Sequence, residues 1–151
     1  TADIGYLGAK KQNIDINLIS NHIGKKTNSG IRVDGALKDE ASKLFRGSID
    51  FKNGSSGPVG AETENVLLLG EDVRNKTIPR ILCAEEDVNG SHGATIGELD
   101  EETLFYYASR GIDKKNAEDI MTKGRIEVII RKINDEDTEK LAEEQLEEVL
   151  Q

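Results

Sequence analysis

Short aliphatic runs recur in this chain at a nearly constant interval, and that spacing restricts the fold more than any other feature. Ile14 to Ile31 is 17 residues, Ile31 to Ile49 is 18, Ile49 to Val66 is 17, and Val66 to Ile81 is 15. Ile14-Asp15-Ile16-Asn17-Leu18 alternates apolar and polar side chains, as a half-buried strand does. Ile31-Arg32-Val33 and Ile49-Asp50-Phe51 repeat the pattern, and Val66-Leu67-Leu68-Leu69 and Ile81-Leu82-Cys83 are short apolar runs. Turn formers separate them: Asn28-Ser29-Gly30, Asp34-Gly35, the stretch from Asn53 to Pro58, and Asn89-Gly90. A repeat of this size built from strand units predicts a β-solenoid, in which each coil stacks on the last and buries a shared aliphatic stripe. A meander or sandwich with evenly spaced hairpins gives a similar interval. The composition suits a stripe of Val, Ile and Leu, with no Trp and three Phe among 151 residues.

The rear of the chain reads as helical. Asp100 is a good N-cap, followed by Glu101 and Glu102, whose charges favour the positive end of a helix. Leu104, Phe105, Tyr107 and Ala108 give an apolar face, and Gly111 is a natural stop. Asp113 caps a second helix with Ala117, Ile120 and Met121 on one side, and Gly124 is a potential kink. Periodicity leaves Ile126-Glu127-Val128-Ile129-Ile130 open between strand and buried helix. A last helix, about residues 135–149, groups Leu141, Ala142, Leu146, Val149 and Leu150, a face that requires a partner in the chain or outside it. The expected division is β-helix coils over residues 1–98 and a helical region over 99–151. The chain opens at Thr1 without a capping element, which suggests the C-terminal part of a longer solenoid.

Net charge narrows the function. The total is −9, and residues 134–151 carry eight acids against one base, Lys140. A nearly neutral body with an acidic tail does not supply the positive field that nucleic-acid binding needs. No apolar run approaches the length that spans a bilayer, and no leader is read at the front, so no membrane partner and a cytoplasmic location are expected. The acidic tail is a solvated helix face or a docking site for a basic partner. One cysteine, Cys83, forms neither an internal disulfide nor a four-cysteine metal site.

Residues 85–111 read EEDVNGSHGATIGELDEETLFYYASRG. The run Asp87-Val88, Ser91-His92-Gly93-Ala94-Thr95-Ile96-Gly97, Leu104-Phe105-Tyr106 and Ser109-Arg110-Gly111 resembles the SufB/SufD family, the scaffold components of the SUF iron–sulfur cluster assembly machinery. Phe45-Arg46-Gly47-Ser48-Ile49, Asn65 to Leu69, and Thr77-Ile78-Pro79 match its spacing upstream. The resemblance covers about residues 14–133. It implies a right-handed parallel β-helix followed by helices. It also implies pairing with a SufB-type or identical subunit, a SufC-type ATPase docked through the C-terminal helices, and a transient iron–sulfur cluster at the subunit interface.

The same resemblance assigns roles to residues. His92 stands where the SufD branch has its functional histidine, a candidate cluster ligand; imidazole ligation has precedent in iron–sulfur centres. A turn or interface hydrogen bond is its alternative. SufB-type chains carry a catalytic cysteine where Glu62-Thr63-Glu64-Asn65 stands here, and glutamates where Ser91 and Gly93 flank His92. Both departures favour SufD. Gly90 replaces a further cysteine often found in that branch. Cys83 is read as a small buried hydrophobe or as a second cluster ligand. Glu85, Glu86 and Asp87 are turn caps or oxygen donors to iron, and His22 is read as a loop or surface residue. Leu104, Phe105, Tyr106, Arg110 and Gly111 are expected to shape the ATPase-docking surface, with an internal ion pair the alternative for Arg110. There is no Gly-x-x-x-x-Gly-Lys-Ser/Thr, so this chain is expected to bind no nucleotide. The expectation is a non-catalytic scaffold. A generic β-solenoid interaction module is the alternative, and a polysaccharide-active β-helix enzyme is a weaker one.

Overall fold

A computed structural model describes residues 1–150. Seven strands come first: β1 (Ala2–Gly8), β2 (Asn13–His22), β3 (Asn28–Lys38), β4 (Ser42–Phe51), β5 (Val59–Leu69), β6 (Arg74–Cys83) and β7 (Asn89–Gly97). Three helices follow: α1 (Glu101–Ala108), α2 (Lys114–Ile130) and α3 (Glu136–Leu150). Odd strands form one parallel sheet in the order β1-β3-β5-β7, and even strands form another, β2-β4-β6. The chain therefore winds between two sheets as a parallel β-solenoid of about three turns, the fold expected from the spacing.

The anchor interval has a different meaning from the one first read. Ala2 pairs with Ile31, Asn28 with Val59, and Val59 with Asn89, so one coil takes 29 to 31 residues in this sheet. Ile14, Ile31, Ile49, Val66 and Ile81 fall alternately on the two sheets, so the interval is half a coil. Three of the turn signals are also not turns. Asn28-Ser29-Gly30 and Asp34-Gly35 lie within β3, and Asn89-Gly90 starts β7. β3 pairs with β5 along its whole length and with β1 over Ile31–Leu37, β7 pairs with β5 along one edge, and this tertiary pairing overrides weak strand propensity. Gly35 is needed for space: a Cβ there would lie 2.5 Å from the ring and the carbonyl oxygen of Tyr6.

Inward positions alternate along every strand. Tyr6, Ile31, Val33, Leu37, Ala41, Phe45 and Val66 are buried together inside the coils, with Ile4, Ile14, Ile16 and Leu18 packed on them. Transfer of each such side chain from water contributes roughly 1.5–3 kcal/mol. His22 is not a surface residue. It is 3% exposed, its Nδ1 and Nε2 lie 2.7 Å from the Thr27 and Ser29 hydroxyls, and its ring packs on Phe51. The hydroxyls satisfy both ring nitrogens, which is what permits burial.

The helices lie against the flank of the odd-strand sheet. Asp100 and Asp113 cap α1 and α2 through the Thr103 and Asn116 amides at 2.6 and 2.8 Å, and Gly111 takes φ +77° after α1. Ile126–Ile130 is helix, and α2 runs through Gly124 without a break. Ile126 and Ile130 pack with Leu146, Ala142 and Leu150 of α3 and with Leu7 of β1. Gly5 lets Ile126 and Ile129 approach the β1 backbone. The apolar face of α3 is thus covered by the chain's own body, although Leu141 and Val149 stay exposed.

Candidate functional site at the open end of the solenoid

The last coil leaves one end of the solenoid uncovered. β7 is the outer strand of the odd sheet and β6 of the even sheet, and every residue of β7 from Asn89 to Ile96 is exposed. Inward positions can be assigned strand by strand. A Cβ on Gly60 would meet Ile49 and Phe51, and one on Gly90 would meet Phe51 and Ile81, so both positions face the interior. Two residues further along, Glu62 and His92 face the same way and are paired across the β5–β7 ladder. His92 is therefore an inward-facing, exposed side chain on the terminal strand. A turn is not its setting.

Behind His92 the interior is polar. Glu62 is 3% exposed. Its carboxylate occupies the space over Gly47 of β4, so closely that any Cβ at that position would collide with it. Burial raises the Glu62 pKa above its ordinary value, while the positive charge of His92 pulls it down. Two residues further along β5, Glu64 Oε1 accepts from Lys43 Nζ, with both side chains shut off from solvent. The Thr77 hydroxyl lies 3.4 Å from the same ammonium, and the Tyr6 and Phe45 rings flank it at 5.6 Å. Burial lowers the Lys43 pKa to about 8. Glu64 Oε2 has no hydrogen-bond partner among the described residues. Sequence reasoning treated Glu62 and Glu64 only as places where a cysteine was missing. Their signal was the coil length: thirty residues before His92 is Glu62.

Cys83 ends β6 and is exposed, so the buried-hydrophobe reading is corrected. No coil beyond β6 covers this end of the strand. Cys83 is in register with Phe51, whereas Pro79 is in register with Gly47, the residue beneath Glu62. Four residues of strand separate these levels, roughly 13 Å, so the fold does not bring Cys83 beside His92. Among the described residues no three His, Cys, Asp or Glu side chains gather into a metal-holding group. The acidic loop caps the coil above: Glu85 Oε2 accepts from the Gly54 amide at 3.0 Å, and Asp87 Oδ2 from the Ser56 hydroxyl at 2.9 Å.

Beyond the solenoid, α1 buries none of its residues. Phe105 is 73% exposed, and Tyr106 is exposed beside it, while Leu104 is half-buried. The Arg110 guanidinium stacks on the Tyr106 ring at 3.7 Å and reaches the Tyr106 carbonyl at 3.4 Å. Among the described residues Arg110 has no carboxylate partner, so the internal ion pair expected as its alternative role is not seen among them; the exposed Tyr106 ring takes the guanidinium instead. Gly111 follows in its left-handed conformation.

A parallel β-solenoid with an open terminal coil, an inward histidine there and three flanking helices defines a narrow class. The chain belongs to the SufBD family: residues 1–125 match the model described as SUF system FeS cluster assembly, SufBD core domain. It is 32% identical over 133 residues to the iron–sulfur cluster assembly protein SufD of Bacillus subtilis, covering 88% of this chain and 30% of that protein. It is 34% identical over 85 residues to the SufD of Escherichia coli, covering 56% of this chain and 20% of that protein. A chloroplast SufBD-family protein of Arabidopsis thaliana is 28% identical over 115 residues, 76% of this chain and 21% of that protein. The chain thus spans less than a third of the length of these relatives.

Proposed function

We propose that this chain is part of a SufD-like, non-catalytic scaffold subunit in iron–sulfur cluster assembly. The solenoid part, residues 1–98, pairs through its open coil with a SufB-type or identical subunit. His92 lies at that junction and ligates the nascent cluster, which is cargo and passes to acceptor proteins. The helical part, residues 99–151, docks a SufC-type ATPase, which supplies the nucleotide chemistry. The observation that carries this reading is the placement of His92, inward and accessible on a strand whose far edge has no partner. Unpaired backbone on an edge strand is a template for another chain. The exposed Phe105 and Tyr106 on α1 support the docking role, because aromatic side chains are enriched at protein interfaces. Among the described residues no helix is long and apolar enough to cross a membrane, and a cytoplasmic location is part of the proposal.

The test is anaerobic purification of the full-length protein co-expressed with its sister subunit and ATPase, followed by iron and sulfide analysis. The wild-type complex is expected to hold iron and sulfide in similar amounts. His92→Ala is expected to leave the complex assembled and lower both several-fold. Equal iron in the two preparations would remove His92 as a ligand. Failure of the three chains to co-purify would leave a solenoid interaction module without a cluster role.

A further inference from the structure

Glu62 is a buried carboxylate that the fold does not neutralise. Among the described residues, the Lys43 ammonium inside the coils is taken by Glu64. An isolated buried charge costs several kcal/mol, as order of magnitude, unless a cation or hydrogen bonds compensate it. Room for the carboxylate exists only because position 47 is glycine. Glu62 and His92 are paired residues on adjacent strands, which places their Cα atoms about 5 Å apart and their side chains on the same inward face. Imidazole with carboxylate is a donor set that suits ferrous iron.

We propose that Glu62 is a second iron-binding side chain, acting with His92 as an imidazole–carboxylate pair that receives a ferrous ion at the open end of the solenoid. The inference rests on the cluster-assembly reading. His92 is exposed, so the ion approaches from the uncovered end and meets the imidazole first. Glu62 then provides an anionic oxygen from within, beside the Lys43–Glu64 pair. Two protein donors leave the remaining coordination positions to water, sulfide or the facing subunit.

The experiment is anaerobic titration of the metal-free full-length protein with Co2+, a spectroscopic stand-in for ferrous iron. Affinity is measured by calorimetry and coordination by visible absorption. Glu62→Gln is expected to weaken Co2+ binding at least tenfold and to shift the ligand-field bands. His92→Ala should weaken it similarly, and the double variant should be little worse than either single one, because each breaks the same site. Glu98→Gln, an exposed carboxylate outside the interior, should bind as wild type. The proposal falls if wild-type protein binds no Co2+, or if Glu62→Gln binds it unchanged. Iron analysis of the co-expressed complex separates the two claims. Iron lost in His92→Ala but kept in Glu62→Gln overturns only the Glu62 assignment; iron kept in both overturns the His92 reading as well.

Discussion

Lys43 and Glu64 form an ion pair that the solenoid seals from water. Such a pair is weak as net stabilisation but expensive to break, because the surviving charge is left buried. Lys43→Ala is therefore expected to cost about 3–5 kcal/mol in chemical denaturation. Replacing both partners, with Lys43→Met and Glu64→Leu together, should recover most of that loss. A double variant as unstable as the single one would contradict this account. Glu62 supplies a pH dependence of definite sign. Its folded pKa is raised by burial, so the folded state holds this proton to higher pH than the unfolded chain does. Stability from this group is complete below the ordinary carboxylate range and declines as pH rises through the folded value. Glu62→Gln should flatten that decline in melts run from mildly acidic to neutral pH. None of this was visible by eye in Glu62-Thr63-Glu64-Asn65, where two acids look like solvated polar positions. The alternation that turns both inward belongs to β5 as a strand, and only its neighbours β4 and β7 show what they meet.

β3 and α3 illustrate where sequence pattern succeeds and where it fails. The apolar alternation of Ile31 and Val33 located β3, but Asn28-Ser29-Gly30 and Asp34-Gly35 broke the reading into a fragment. Local turn chemistry lost to pairing with β5 along the whole eleven-residue strand and with β1 over Ile31–Leu37. Gly35→Ala should destabilise by roughly 1–3 kcal/mol, as overpacking does, because its Cβ meets the Tyr6 backbone, which cannot swing aside. α3 was readable because its apolar residues keep helical spacing and its first turn is acidic. Its partner was not readable, since nothing in Leu146 names Ile126, Ile130 and Leu7 as its neighbours. Leu146→Ala is expected to cost about 2–4 kcal/mol. The resulting loss of amide-exchange protection should be concentrated in α2 and α3. Uniform loss throughout the coils would show that the helices and the solenoid unfold as one unit.

The proposed function divides between the solenoid and the helices, and the two roles are expected to separate experimentally. Ile96 is an exposed inward position on β7, so Ile96→Lys should abolish pairing through the open coil in sedimentation experiments while leaving the ATPase bound. Deleting residues 134–151 should do the reverse, weakening the ATPase complex and sparing subunit pairing. Loss of both contacts in either variant would refute the division. The solenoid class itself was readable from the anchor interval, because strands that recur evenly have few ways to stack. The coil length was not, because the same interval fits one strand per coil or one strand per half coil.

The helices do not end where the strands end. The chain leaves β7 at the open coil, yet α2 packs on β1 and β3. Lys132 contacts Asp3, and Lys38 Nζ donates to the Val149 carbonyl at 3.2 Å. The C-terminal segment is thus a strap fastened to the early coils. Load applied to α2 and α3 is therefore shared with β1 and β3 and does not fall on the β7–α1 connection alone. A partner that pulled on this strap would load β1 and β3, coils earlier in the winding than the one that carries His92.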